Sequence, residues 1–197
     1  WLSHNGEWPW LETIVVTPSA YHPEFAALFE ETAKNPNDME MLDFIETHIL
    51  KEVDKRYRTN KFRIFSGFMS NGAIGLYALV NKPEMFNALI VSSPSIGNNF
   101  LSIESDFSKK LKSLKGYNRF LYMAIGDHGY EKSNISAFDS VKETLTSNAP
   151  NGLEWHAVNN NENYYMSRPV ISLINGIERL FDDIHNNLAA DSEISKK

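Results

Sequence analysis

The stretch Arg63-Ile64-Phe65-Ser66-Gly67-Phe68-Met69-Ser70-Asn71-Gly72-Ala73-Ile74-Gly75-Leu76-Tyr77-Ala78-Leu79 decides the reading of this chain. Residues 62–68 are rich in aromatic and β-branched side chains, which marks a buried strand. Residues 71–80 are small and apolar nearly all round, as a helix buried on every side must be. Gly67 and Gly72 flank the junction of the two runs, which leaves no turn-length loop between them. A strand that runs into a helix this abruptly needs small residues, because the two elements press together at the corner. The stretch therefore predicts a strand, a sharp turn and a buried helix.

Outward from this corner the same alternation continues. Residues 13–17 (Thr13-Ile14-Val15-Val16-Thr17), 88–92, 120–125 and 154–158 read as further strands. Residues 38–57 carry apolar side chains at helical spacing, with Asn37 or Asp38 as N-cap. Residues 105–115, 136–147 and 169–186 complete the helices, and residues 25–31 suggest a turn or two more. Strands separated by helices imply crossover connections and a mainly parallel sheet with helices on both faces. The fold class is α/β. Residues 1–187 read as one domain, and residues 188–197 as a polar, frayed tail.

Composition narrows the function. The chain has 197 residues, 42% of them apolar and 22% charged, an ordinary globular make-up. No apolar run reaches the 18 or so residues of a membrane span. A net charge of −6 argues against a nucleic-acid partner. There is no cysteine, which removes disulfides, thiolate metal sites and cysteine nucleophiles together. The histidines lack ligand spacing, so neither a metal nor a cofactor is expected. The first residues show no basic and apolar signal pattern, and the compartment stays open.

The corner stretch resembles the strand–elbow–helix unit of α/β-hydrolases, in the group that contains esterase D and the ferric-siderophore esterases. There a strand ends in Gly-His-Ser-x-Gly-Gly and enters a helix ending near Leu-Tyr-Ala-Leu. Laid on without a gap, Gly67 and Gly72 take the outer glycines, Met69 falls on the nucleophile and Asn71 on a glycine. The likeness continues through Asn81-Lys82-Pro83-Glu84-Met85-Phe86-Asn87-Ala88 and Ser92-Ser93-Pro94-Ser95. It returns at Met166-Ser167-Arg168-Pro169-Val170-Ile171-Ser172-Leu173-Ile174-Asn175-Gly176-Ile177, whose register puts the family's catalytic His at Tyr165. The resemblance implies an α/β-hydrolase sheet lacking its first strands, which are expected before Trp1 together with an oxyanion loop.

The implied activity is ester hydrolysis by a Ser nucleophile, an adjacent imidazole and backbone N–H donors for the oxyanion. A thioether at Met69 has no proton to lose. A phenol at Tyr165 ionises about 3 units above neutrality and is a poor general base. Loss of one triad member costs on the order of 10⁴ to 10⁶ in rate, and here two positions depart. The reading is a non-catalytic binding or interaction domain with Met69, Ser93, Asp127, Tyr164 and Tyr165 lining a cleft at the carboxyl edge of the sheet. Its partner would be a small ester-like molecule or a protein. Met69 is expected to fill space, and Ser70 to cap the elbow helix. The alternative is an active carboxylic-ester hydrolase using Ser70, with His128 as base and Asp127 as the acid.

Overall fold

The computed structural model describes residues 13–17, 23–35, 40–115 and 118–194. The elements in chain order are α1 (Pro23–Lys34), α2 (Glu40–Phe44), a π-helical segment (Ile45–Leu50) and α3 (Lys51–Arg56). Then come β1 (Ile64–Phe68), α4 (Ser70–Asn81), β2 (Ala88–Ser92), a 3₁₀ stretch (Gly97–Ser102) and α5 (Ile103–Ser113). The chain closes with β3 (Arg119–Ile125), α6 (Ile135–Asn148), β4 (Leu153–Asn159) and α7 (Arg168–Ile194). The four strands pair in the order β1-β2-β3-β4, and all three ladders are parallel.

A parallel sheet must be covered on both faces, and the side-chain alternation of β2 and β3 shows how. Leu89, Val91, Leu121, Met123 and Ile125 point into one core, shared with Leu76 and Leu79 of α4, Phe107 and Leu111 of α5, and Phe138 and Val141 of α6. Ala88, Ile90, Phe120, Tyr122 and Ala124 point the other way, where Leu173, Ile177 and Leu180 of α7 pack on them. The fully buried character of β2 follows from this sandwich. Gly176 lets α7 approach closely, since a Cβ there would sit 2.9 Å from Ile90. The α/β architecture expected from the alternation of elements is therefore the one observed.

Three elements differ from the sequence reading. Residues 13–17 form no strand, although their composition is ideal for one. The exposures of Ile14 (45%), Val15 (81%) and Val16 (46%) give the reason, for a strand needs a ladder neighbour as well as β-branched side chains. The helix read over residues 38–57 switches to π geometry at its centre, and both of its proposed caps lie outside the described residues. The last helix runs on to Ile194 instead of ending near Asn186, so the backbone of the expected frayed tail is helical as far as that residue.

Candidate functional site

The corner between β1 and α4 is as sharp as the glycine spacing predicts. A Cβ on Gly67 would lie 2.5 Å from the backbone oxygen of Asn71. The apex residue is Met69, at φ 54 and ψ −121, a backbone conformation that L-residues rarely adopt. It persists because neighbours hold it from both ends: the Met69 N–H donates to the Ser92 carbonyl at 3.1 Å, while the Met69 carbonyl accepts from Ser95 and Ala73, each at 3.0 Å. Strain this heavily over-determined is characteristic of functional turns. Its side chain is 37% exposed. Met69 therefore does not fill a gap, as the sequence reading expects, but presents its thioether at the tip of the turn.

Ser70 is the first residue of α4, and Met69 is the N-cap, without a side-chain hydrogen bond. The capping role expected of Ser70 is thus not realised. The helix still begins at this turn, so its first N–H groups lack intrahelical acceptors, and the dipole adds positive character there. Among the described residues no hydrogen bond joins Ser70 to His128 or Asp127.

The loop after β3 carries His128, and the 3₁₀ turn before α7 (Tyr165–Ser167) carries Tyr165. The two rings stack, with centroids 4.6 Å apart and planes at 16°. Phe68, next to the apex, packs against Tyr165 at 5.2 Å. Tyr130 approaches it at 5.7 Å. The structure thus brings Phe68, His128, Tyr130 and Tyr165 into one aromatic group beside the elbow. Among the described residues the one hydrogen bond to the imidazole is from the backbone N–H of Tyr130, a long contact of 3.5 Å to Nδ1. Tyr165 is buried, which raises its phenol above the ordinary value of 10.0. Tyr164 is 90% exposed, and Asp127 is exposed too.

Beneath the aromatic group lies a buried polar network that the sequence reading missed. Glu131 and Arg168 are 1% and 3% exposed and form an ion pair. Glu131 also accepts the Ser93 hydroxyl at 2.5 Å, the Gly126 N–H at 2.9 Å and the His128 N–H at 2.9 Å. Arg168 donates further to the Asn163 carbonyl at 3.1 Å, and a side chain at Gly126 would run into its guanidinium. Each charge is thereby compensated, as burial demands. Ser93, proposed as a cleft residue, is 3% exposed and adopts φ 45, with its hydroxyl committed to this network. One cue to the pair was present in the sequence. Arg168 opens α7, where a cation opposes the helix dipole and calls for a carboxylate nearby.

A stability trend follows from the tyrosines. Burial is the leading cause that raises both Tyr122 and Tyr165 above 10.0, so the folded state holds these protons more tightly than the unfolded chain. Their contribution to stability is complete below pH 10 and falls as pH climbs past it. Urea midpoints taken from pH 8 to 11 should decline above pH 10, and less steeply for Tyr165→Phe than for the wild type.

Solved structures place the architecture. The chain is similar to an IroE-like serine hydrolase from Shewanella oneidensis, with a TM-score of 0.59 and 24% identity over 72% of this chain and 47% of that one. The fold is esterase-like. The BES protein from Bacillus cereus gives 0.59 and 20% identity, covering 70% of this chain and 53% of its own. Siderophore hydrolase EstA from Aspergillus nidulans gives 0.55 and 20% identity, covering 73% and 57%. The chain thus spans about half the length of these proteins. Neither a protein-family model nor a curated protein sequence matches it. Among the described residues no group of three or more His, Asp or Glu is placed to hold a metal ion, and no helix is long and apolar enough to cross a membrane.

Proposed function

We propose that this esterase-like domain binds a ligand at its elbow without hydrolysing esters. One observation carries the reading: the apex of the strained turn holds the thioether of Met69, at φ 54. In an α/β-hydrolase that apex positions the attacking oxygen, and the next backbone N–H helps to receive the oxyanion. Here the N–H groups at the start of α4 remain while the nucleophile does not. The imidazole that could serve as base stacks on Tyr165, and the buried carboxylate is committed to Arg168. The surroundings supply recognition instead. Aromatic faces, an exposed thioether and a helix N-terminus suit a small ester-like molecule whose carbonyl or carboxylate points toward α4.

The test is covalent labelling of the purified protein with a fluorophosphonate, which reports any activated serine. No adduct is expected on Ser70 or Ser93. A stoichiometric adduct on Ser70, lost in Ser70→Ala, would establish the active-hydrolase reading in its place.

A further inference from the structure

Among the described methionines, Met41, Met85 and Met123 are buried, at 1%, 4% and 0% exposure, whereas Met69 and Met166 reach solvent, at 37% and 75%. Met69 stands at the strained strand-to-helix apex, and its thioether makes no cap hydrogen bond to α4. Among the described residues no hydrogen bond uses the N–H of Ser70, the next residue along, and at the first position of a helix no preceding turn exists to accept it. An oxidisable sulfur thus sits beside a backbone donor that no protein group engages. Met166 offers the contrast. It lies in the 3₁₀ turn before α7, and the N–H that follows it, on Ser167, already donates to the Tyr164 carbonyl at 3.0 Å.

The covalent geometry of methionine makes the first juxtaposition specific. At an elbow of this kind a serine ester intermediate runs Cβ–Oγ–C–O⁻, and the N–H of the following residue receives the oxyanion. A methionine sulfoxide runs Cβ–Cγ–Sδ–O. It is the same number of bonds from the backbone, its sulfur is pyramidal, and its oxygen carries the negative end of the S–O dipole. An oxygen added to Met69 Sδ therefore has the reach to meet the Ser70 N–H, with the positive end of the α4 dipole behind it. The sulfoxide is chiral, and only one epimer aims that oxygen at the helix.

We propose that Met69 is a site of reversible oxidation to the sulfoxide, with the elbow N–H selecting one epimer. The oxidant is a hydroperoxide, of which hydrogen peroxide is the simplest. A lone pair on Sδ attacks one peroxide oxygen, the O–O bond breaks and the S–O bond forms. The proton on the transferred oxygen passes to the departing hydroxide, which leaves as water. Sulfur is oxidised by two electrons and the peroxide is reduced by two. Charge separates along the forming S–O bond, so the Ser70 N–H lowers the barrier as well as holding the product. Nothing in this chemistry requires a ligand at the elbow.

Treating the folded protein with dilute hydrogen peroxide, then digesting it and mapping the peptides by mass spectrometry, tests the site. Accessibility alone would put Met166 ahead of Met69. The elbow reverses that order: Met69 should oxidise at least about fivefold faster, the effect of one hydrogen bond to developing charge. In concentrated urea the two rates should converge. The Met69 peptide should carry a single epimer, so that one of the two epimer-specific sulfoxide reductases restores it fully and the other leaves it untouched. Met166 oxidising as fast as Met69 or faster overturns the proposal. So does a Met69 sulfoxide that each reductase restores in part, or an advantage of Met69 that survives in urea.

Discussion

Replacing Arg168 by Met is expected to destabilise the protein by about 3–5 kcal/mol, the usual cost of stranding one partner of a buried ion pair. The size of the loss rests on burial. Glu131 keeps the Gly126 and His128 N–H groups and the Ser93 hydroxyl as donors, yet its charge would lose the one cation that offsets it. Surface pairs offer a contrast. Arg56 and Glu52 are largely exposed, and Arg56→Ala should change stability by under about 1 kcal/mol. Combining Arg168→Met with Glu131→Gln removes both charges but keeps an acceptor for the backbone donors. The double variant should therefore be more stable than Arg168→Met alone. Urea denaturation read by tryptophan fluorescence measures all of these, and an unchanged midpoint for Arg168→Met would count against the network as a stabilising element.

The second large effect is kinetic. Against short p-nitrophenyl esters, the protein should turn over at least about 10⁴-fold more slowly than an intact triad would. Ser70→Ala should leave the residual rate unchanged within a factor of two. The reasoning is geometric as much as chemical. A nucleophile must sit where its base can reach it, within roughly 3 Å, and among the described residues nothing joins Ser70 to the imidazole of His128. Parallel stacking on Tyr165 directs that ring's face to a phenol. Introducing Met69→Ser by itself should not raise the rate appreciably if, as the proposed reading has it, Tyr165 takes the place of the base. Rapid hydrolysis abolished by Ser70→Ala would sink this account.

The elbow was legible in the sequence because its demands are local. Gly67 must admit the Asn71 backbone, and the abrupt change from strand to helix composition leaves only one place for the turn. The layering was legible for a related reason. Residues buried on both faces of β2 and β3 read as unbroken apolar runs. Residues 13–17 show where composition fails: β-branched side chains describe a surface that could pair, and only the fold decides whether a neighbour is present. Asp127, in the loop after β3, is the acid that the family resemblance implies, and it lies exposed. The carboxylate actually buried is Glu131, and it meets Arg168 across 37 residues of chain.

By itself the amino-acid sequence determined the alternation of the four sheet strands with their helices and the sharp corner between β1 and α4, while the family resemblance put Met69 at its tip. These follow from side-chain volume, periodicity and chemistry, which each residue carries wherever it stands. Tertiary structure alone decided that Glu131 is buried against Arg168, which rings gather around Tyr165, and that residues 13–17 form no strand. Those are properties of distant segments brought into contact, and a charge or an aromatic face acquires its energetic meaning only from what the fold sets against it.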